Sequence, residues 1–193
     1  SQNQIDFIDK YLNNLFKIVY EACENGKYYK FDENYDLVDS DVTTAEEAVS
    51  NVMDIDSVRD MYILYEIVHD YDCGEGSFYM CVDLSKDSKC PKLKFTSPWD
   101  FNWAYNDSTE KYYAGAFTDK NFVAKKGDRS NPWFIILCKQ DWFMDAVKEK
   151  WTEMSQEKLL QGCIKTEREY LKEYDADLRK GEEWGPDSAE DLF

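Results

Sequence analysis

One histidine, His69, stands in a chain of 193 residues, and none of the six cysteines falls in a C-x-x-C pair. That excludes the common zinc sets, which gather four Cys or His ligands at short spacing. Positive charge is also scarce: 23 basic residues face 40 acidic ones, for a net charge of -17. A reader of phosphate backbone needs a basic field, so nucleic acid is not an expected partner. An anionic membrane surface is disfavoured for the same reason. Divalent cations and cationic partners suit this chain better. No hydrophobic run is long enough to span a bilayer, which argues against membrane insertion of this segment. No signal peptide opens the chain, whose polar start, Ser1-Gln2-Asn3, has the look of a cut boundary that a signal could precede. No repeat, low-complexity tract or long linker divides it.

What is present is apolar and aromatic. Hydrophobic residues make up 43%, enough for one compact domain with a real core and too few positions for two. Aromatics reach 16%, with Tyr 14, Phe 11 and Trp 6. Most such rings pack into cores. Trp103, Tyr105, Tyr112 and Tyr113 are candidates for lining a protein or glycan surface. The cysteines (Cys23, Cys73, Cys81, Cys90, Cys138 and Cys163) read mostly as buried free thiols, with Cys81 on a strand and Cys138 in a helix.

Periodicity predicts a mainly helical α+β chain. Ile5 to Cys23 carries a wide apolar helical face, closed by Glu24-Asn25-Gly26. Tyr28 to Phe31 is a short extended run. Asp41 or Thr43 can cap a helix over Thr44 to Met53, and Asp54 or Asp56 one from Ser57 to about Asp70. Ser77 to Leu84 alternates as a strand, with Phe78, Met80 and Val82 on one face, and Lys92 to Phe95 returns. Glu110 to Arg129 has no sustained period. Asn131-Pro132 starts a helix over Trp133 to Cys138, Asp141 caps another, and a last helix spans about Ser155 to Arg179. Residues 1–180 read as one domain and 181–193 as a flexible tail.

Asp32 to Asp39 spaces its oxygens like the start of a calcium loop. The sixth position is Leu37 where the turn needs Gly, and the twelfth is Thr43 where Glu is needed. A solvated acidic turn fits better. His69, the single imidazole, fits a helix end satisfied by a carbonyl better than a catalytic role.

The informative stretch is Glu66 to Asn106. Asp72 precedes the first strand, Ser77 follows it by five positions, and Trp99-Asp100-Phe101 follows the second strand. In a protein kinase a base Asp is followed five residues on by a metal-holding amide, then a strand pair, then a metal-binding Asp before Phe. The need is physical: metal and hydroxyl must meet at one phosphate, so one carboxylate faces the substrate and another the metal.

Several blocks together resemble the spore-coat CotH kinase-like family, a divergent branch of the kinase fold. Ile55-Asp56-Ser57-Val58 through Tyr65-Glu66 resembles its helix "iDvdSfi-yyl-nE". His69-Asp70-Tyr71-Asp72 through Ser77-Phe78-Tyr79-Met80 resembles the loop ending in "S-x-Y-x-Y". Pro98-Trp99-Asp100-Phe101-Asn102-Trp103-Ala104-Tyr105 is similar to "P-x-W-D-x-D-x-a-f-g". Asn131-Pro132-Trp133 through Leu137, and Asp141 to Trp151, resemble its closing Trp-bearing helices. The resemblance covers most of Asp54 to Trp151.

The resemblance implies the C-terminal lobe of a protein-kinase-like fold, with one β-hairpin beside the active-site loops. It implies Asp72 as catalytic base, and Ser77 and Asp100 toward ATP. It places Asp100, Ser77 and Asn102 around Mg²⁺ or Mn²⁺. Asn102 stands where the family often has a second Asp, and Ser77 offers a shorter neutral oxygen than Asn. No Gly-rich loop before a strand and no mid-strand lysine lies ahead of Asp54, so the chain reads as part of a longer domain, inactive alone. By resemblance it is an ATP- and metal-dependent protein kinase, secreted or at the surface of a bacterium, with a protein substrate or surface-protein partner. The alternative is a catalytically dead binding or structural module on the same scaffold, a pseudokinase.

Overall fold

A helix with a wide apolar stripe needs a partner for it, and the chain supplies two within its first half. In this computed structural model, residues 1–68, 70, 72–74, 76–103 and 131–178 are described, with backbone alone for Asp72, Trp103 and 174–178. Helix α1 (Gln2–Asn25) buries Tyr11, Leu15, Ile18, Val19 and Ala22 on one face. It ends at Gly26, whose φ of 63° is the left-handed cap glycine adopts without a Cβ penalty. Helix α2 (Ala45–Val52) packs across it. The capping oxygen of α2 is Thr44 Oγ1, which accepts from Glu47 N at 3.2 Å, not Asp41 or Thr43. Helix α3 (Ile55–Val68) follows at once, and Asp54 is its cap, accepting from Ser57 N at 3.2 Å.

Among the described residues two antiparallel hairpins are present where the sequence pattern indicates one. Strands β1 (Tyr29–Phe31) and β2 (Leu37–Asp39) form the first, with Tyr29 opposite Asp39. Asp32 to Asp36 is the acidic turn between them. Asp32 Oδ1 accepts from Asn34 N and Asp36 N, both at 2.8 Å, so this carboxylate builds its own turn. Tyr35 fills the inside of the turn, within ring contact of Phe7, Tyr11 and Phe31.

Strands β3 (Tyr79–Cys81) and β4 (Lys94–Thr96) form the second hairpin, with Tyr79 opposite Thr96 and Cys81 opposite Lys94. β3 is shorter than the alternation over Ser77 to Leu84 predicts. Ser77 is left-handed (φ 52°), and Asp83 turns the chain by accepting from Ser85 N at 2.9 Å. The alternation itself holds: Phe78, Met80 and Val82 are half-buried, while Tyr79 and Cys81 are exposed.

Helix α4 (Pro132–Leu137) closes the core, with Pro in its first turn and Asn131 as cap. Phe134 lies fully buried at the centre of a ring cluster with Tyr62, Tyr65, Phe78 and Phe95. Gln140 Nε2 donates to Cys23 O, and Lys139 pairs with Glu24, which fastens the end of α4 to the end of α1. Helix α5 (Asp141–Gln156) starts at Asp141, so Asp141 is its first residue and not its cap.

The chain divides into two compact units, one to Val147 and one from Lys148. In the second, Lys158 takes φ 54° and separates the end of α5 from α6 (Leu159–Leu178), which starts four residues later than the apolar pattern suggests. The 181–193 tail and the Glu110 to Arg129 stretch lie outside the described residues, as do His69, Tyr105, Tyr112 and Tyr113. Among the described residues no helix is long and apolar enough to cross a membrane.

None of the six cysteines, all among the described residues, is joined in a disulfide. Only Cys73 and Cys138 are buried; Cys23 and Cys90 are partly so, and Cys81 and Cys163 are exposed, which corrects the expectation of mostly buried thiols. Burial pushes the Cys23 and Cys138 thiols up to about 12, which favours the protonated thiol at both. Cys138 closes α4 rather than lying within it.

Candidate functional site

The site begins with the joint between α2 and α3. Val52 O accepts from Leu93 N, and Asp54 N donates to Leu93 O, both at 2.9 Å. Ser57 Oγ donates to Asp54 O at 2.7 Å and accepts from Phe95 N at 3.2 Å. One hydroxyl thus ties the first turn of α3 to β4. The Asp54-to-Ser57 segment is helix cap and hairpin anchor together, which is a physical reason for a Ser at that place in the motif.

Above this anchor, the pairing of Tyr79 with Thr96 sets the geometry. An antiparallel ladder brings the residue before its first strand and the residue after its second to the same end. Ser77 and Asp100 meet there: Ser77 Oγ donates to Asp100 Oδ2 at 3.4 Å. The chain positions are 23 residues apart. Both residues hold left-handed backbone, with φ 52° at Ser77 and 63° at Asp100, and Ser97 between them has φ 54°. Such a conformation costs an L-residue on the order of 1 kcal/mol, and non-glycine outliers of this kind gather where geometry serves a site.

Asp100 is exposed, and Asn102 is exposed on the 3-10 turn that follows (Phe101–Trp103). Phe101, between them, turns inward and packs edge-on against Tyr65 at 6.1 Å. The ring anchors the turn while both polar neighbours stay outside. Trp99 on the other side is 61% exposed. Of the sequence-predicted set, Ser77 and Asp100 are therefore brought together, and Asn102 lies two residues on from Asp100. Asp72 begins a 3-10 turn (Asp72–Gly74), five residues ahead of Ser77; its side chain lies outside the described residues.

Three residues beneath the site escape sequence reading. Asn131 is 2% exposed, and its Nδ2 donates to Cys73 O at 2.9 Å across 58 residues. Asp70 is fully buried, with its backbone N–H on Tyr65 O. The Tyr65 phenol is held above its ordinary range chiefly by burial, with Cys73 and Asp70 adding to it. Glu66 is the third. Burial pushes its carboxyl up to about 7, opposed by a hydrogen bond with Tyr62. A run of acids in an acidic chain carries no signal that one of them is buried. Only the helical phase of Tyr62, Tyr65 and Glu66 on α3 hints at it.

A cavity of about 180 Å³ opens between the turn and α4, lined by Cys73, Gly74, Ser77, Asn131, Pro132 and Trp133 among others. Among the described residues no three His, Cys, Asp or Glu side chains gather as a ready-made metal cage. The donors brought together are one carboxylate and one hydroxyl, both hard oxygens, with the Asn102 amide two residues on from Asp100. That suits Mg²⁺ or Mn²⁺, which take one or two carboxylates and complete their shell with water and substrate phosphates.

A family model described as CotH kinase protein matches residues 17–182. No curated protein and no solved structure matches the chain.

Proposed function

The chain belongs to the CotH kinase family, and from that premise we propose that it is the kinase-like lobe of an ATP- and divalent-metal-dependent enzyme that phosphorylates protein outside the cell or at its surface. The observation that carries this reading is the meeting of Ser77 and Asp100 at the base of the second hairpin, both on left-handed backbone. Asp100 and Ser77 would hold Mg²⁺ or Mn²⁺, with the Asn102 amide on the following turn. The metal, when bound, neutralises charge on the nucleotide phosphates. Asp72 accepts the proton of the substrate hydroxyl. Phe101 packs on Tyr65 next to Asp100, and Ser57 accepts from Phe95 N in the strand before it, so the backbone on both sides of Asp100 is tied to the core.

Calorimetric titration with ATP and Mg²⁺ or Mn²⁺ tests the reading. Metal-dependent binding that falls at least tenfold in Asp100→Asn supports it. Absence of binding with either metal points to a second reading, a protein-binding module on the same scaffold. The neutral Asn102 in place of a second carboxylate speaks for that one.

A further inference from the structure

We propose that Asn131 is a positioning residue whose side-chain amide holds the Asp72–Gly74 turn in register with Ser77 and Asp100; the functional half of this inference rests on the reading above. Asn131 sits in no motif of chemistry and reads in the sequence as a plain helix cap. The structure gives it a second task. Its Oδ1 accepts from Trp133 N at 3.0 Å and Phe134 N at 3.3 Å, which is the cap. Its Nδ2 faces the other way and donates to Cys73 O at 2.9 Å. Cys73 is the residue after Asp72, and it is itself buried.

One planar amide therefore joins the turn that carries Asp72 to the first turn of α4. Phe134, in that first turn, is the centre of the ring cluster under Phe78 and Phe95. The chain of contact is short: Cys73 carbonyl, Asn131 amide, α4, Phe78, Ser77. Among the favoured capping residues, only Asn carries an acceptor for the cap and a separate donor on the opposite side. Asp supplies the two acceptor bonds and no donor, and would set a carboxylate oxygen against the Cys73 carbonyl. Ser supplies the cap acceptor without the reach. The setting adds weight, because both residues are buried and a hydrogen bond lost there costs more than one lost at an exposed carbonyl.

The test uses the full chain with Asn131→Asp and Asn131→Ser, two cap-competent variants, so that a folding failure in one leaves the other. Amide hydrogen exchange and calorimetry with Mg²⁺·ATP are read together. The expected result is exchange at least tenfold faster in peptides spanning 72–80, with α1 and α2 unchanged, and nucleotide affinity at least fivefold lower. Local acceleration in a chain whose wild type binds no nucleotide keeps the positioning role and overturns the proposed function instead. Exchange that is unchanged, or faster everywhere alike, overturns the positioning role. Local acceleration with affinity equal to wild type overturns its link to the site.

Discussion

The two hairpins are the same size and differ in where they send their polar groups. Each pairs three residues with three in antiparallel register. In the first, the turn is self-contained. Asp32 accepts from two backbone amides, Asp36 pairs with Lys10 at 2.7 Å, and the left-handed Tyr35 (φ 59°) repays its strain by filling a nest of rings. In the second, left-handed backbone falls on Ser77, Ser97 and Asp100, whose side chains are polar and reach the surface or near it. Ring packing there is supplied by neighbours, Phe78 and Phe101, not by the strained residues. Strain offset by packing marks a scaffold turn. In the second turn the strained residues are polar and outward-facing, so their own packing does not offset the strain, which singles that turn out for testing.

Removing the floor of the second hairpin is the largest way to break the contrast. Phe134→Ala should cost about 3–5 kcal/mol in urea unfolding, since it empties the centre of a fully buried ring cluster. Next comes Glu66. Its carboxyl is raised from 4.5 to about 7, so the folded chain binds the proton more tightly than the unfolded one. Stability from this group is full below the unfolded value and is lost as pH rises through about 7. Glu66→Gln should flatten that loss, gaining on the order of 1–2 kcal/mol at pH 8 relative to pH 5 once solvent screening of a half-buried carboxyl is allowed for; unfolding curves at the two pH values decide it.

Relief of backbone strain separates the two turns directly. Asp100→Gly should raise stability by about 1 kcal/mol and abolish metal–nucleotide binding. Tyr35→Gly relieves the same strain yet should lower stability by roughly 1–3 kcal/mol, because it loses three ring contacts. Thermal unfolding of the pair reads the opposite signs. The smallest effect is at the first hairpin's ion pair. Lys10→Ala should cost about 0.5 kcal/mol and less in high salt, because both partners are substantially exposed.

Much of the scaffold is legible in the residues. The stripe from Tyr11 to Ala22 with Gly26 after it, the Asp54 cap, the alternation around Tyr79 and the Asn131-Pro132 start are local signals with local causes. Strand β2 is not legible: three residues after an acidic turn are too few to show a period, and pairing with β1 makes the strand. The Thr44 cap lies one residue from the Thr43 alternative, a distinction that backbone geometry decides. At the site, the spacing of Ser77 and Asp100 around a strand pair is readable. Their contact follows once the ladder register is set. The Asn131 bond to Cys73, the burial of Asp70 and the half-burial of Glu66 are tertiary events, made by residues far apart in the chain or indistinguishable from solvated neighbours.

On the proposed function, metal and nucleotide should gather at the second hairpin and not at the more obviously acidic first one. Paramagnetic broadening of backbone amide signals by Mn²⁺ in the presence of ATP tests it most directly. Selective loss of the signals of Ser77, Asp100 and Asn102 is expected at metal concentrations that leave Asn34 and Asp36 sharp. Broadening that begins at 32–36, or that spreads evenly over the acidic surface, would contradict it.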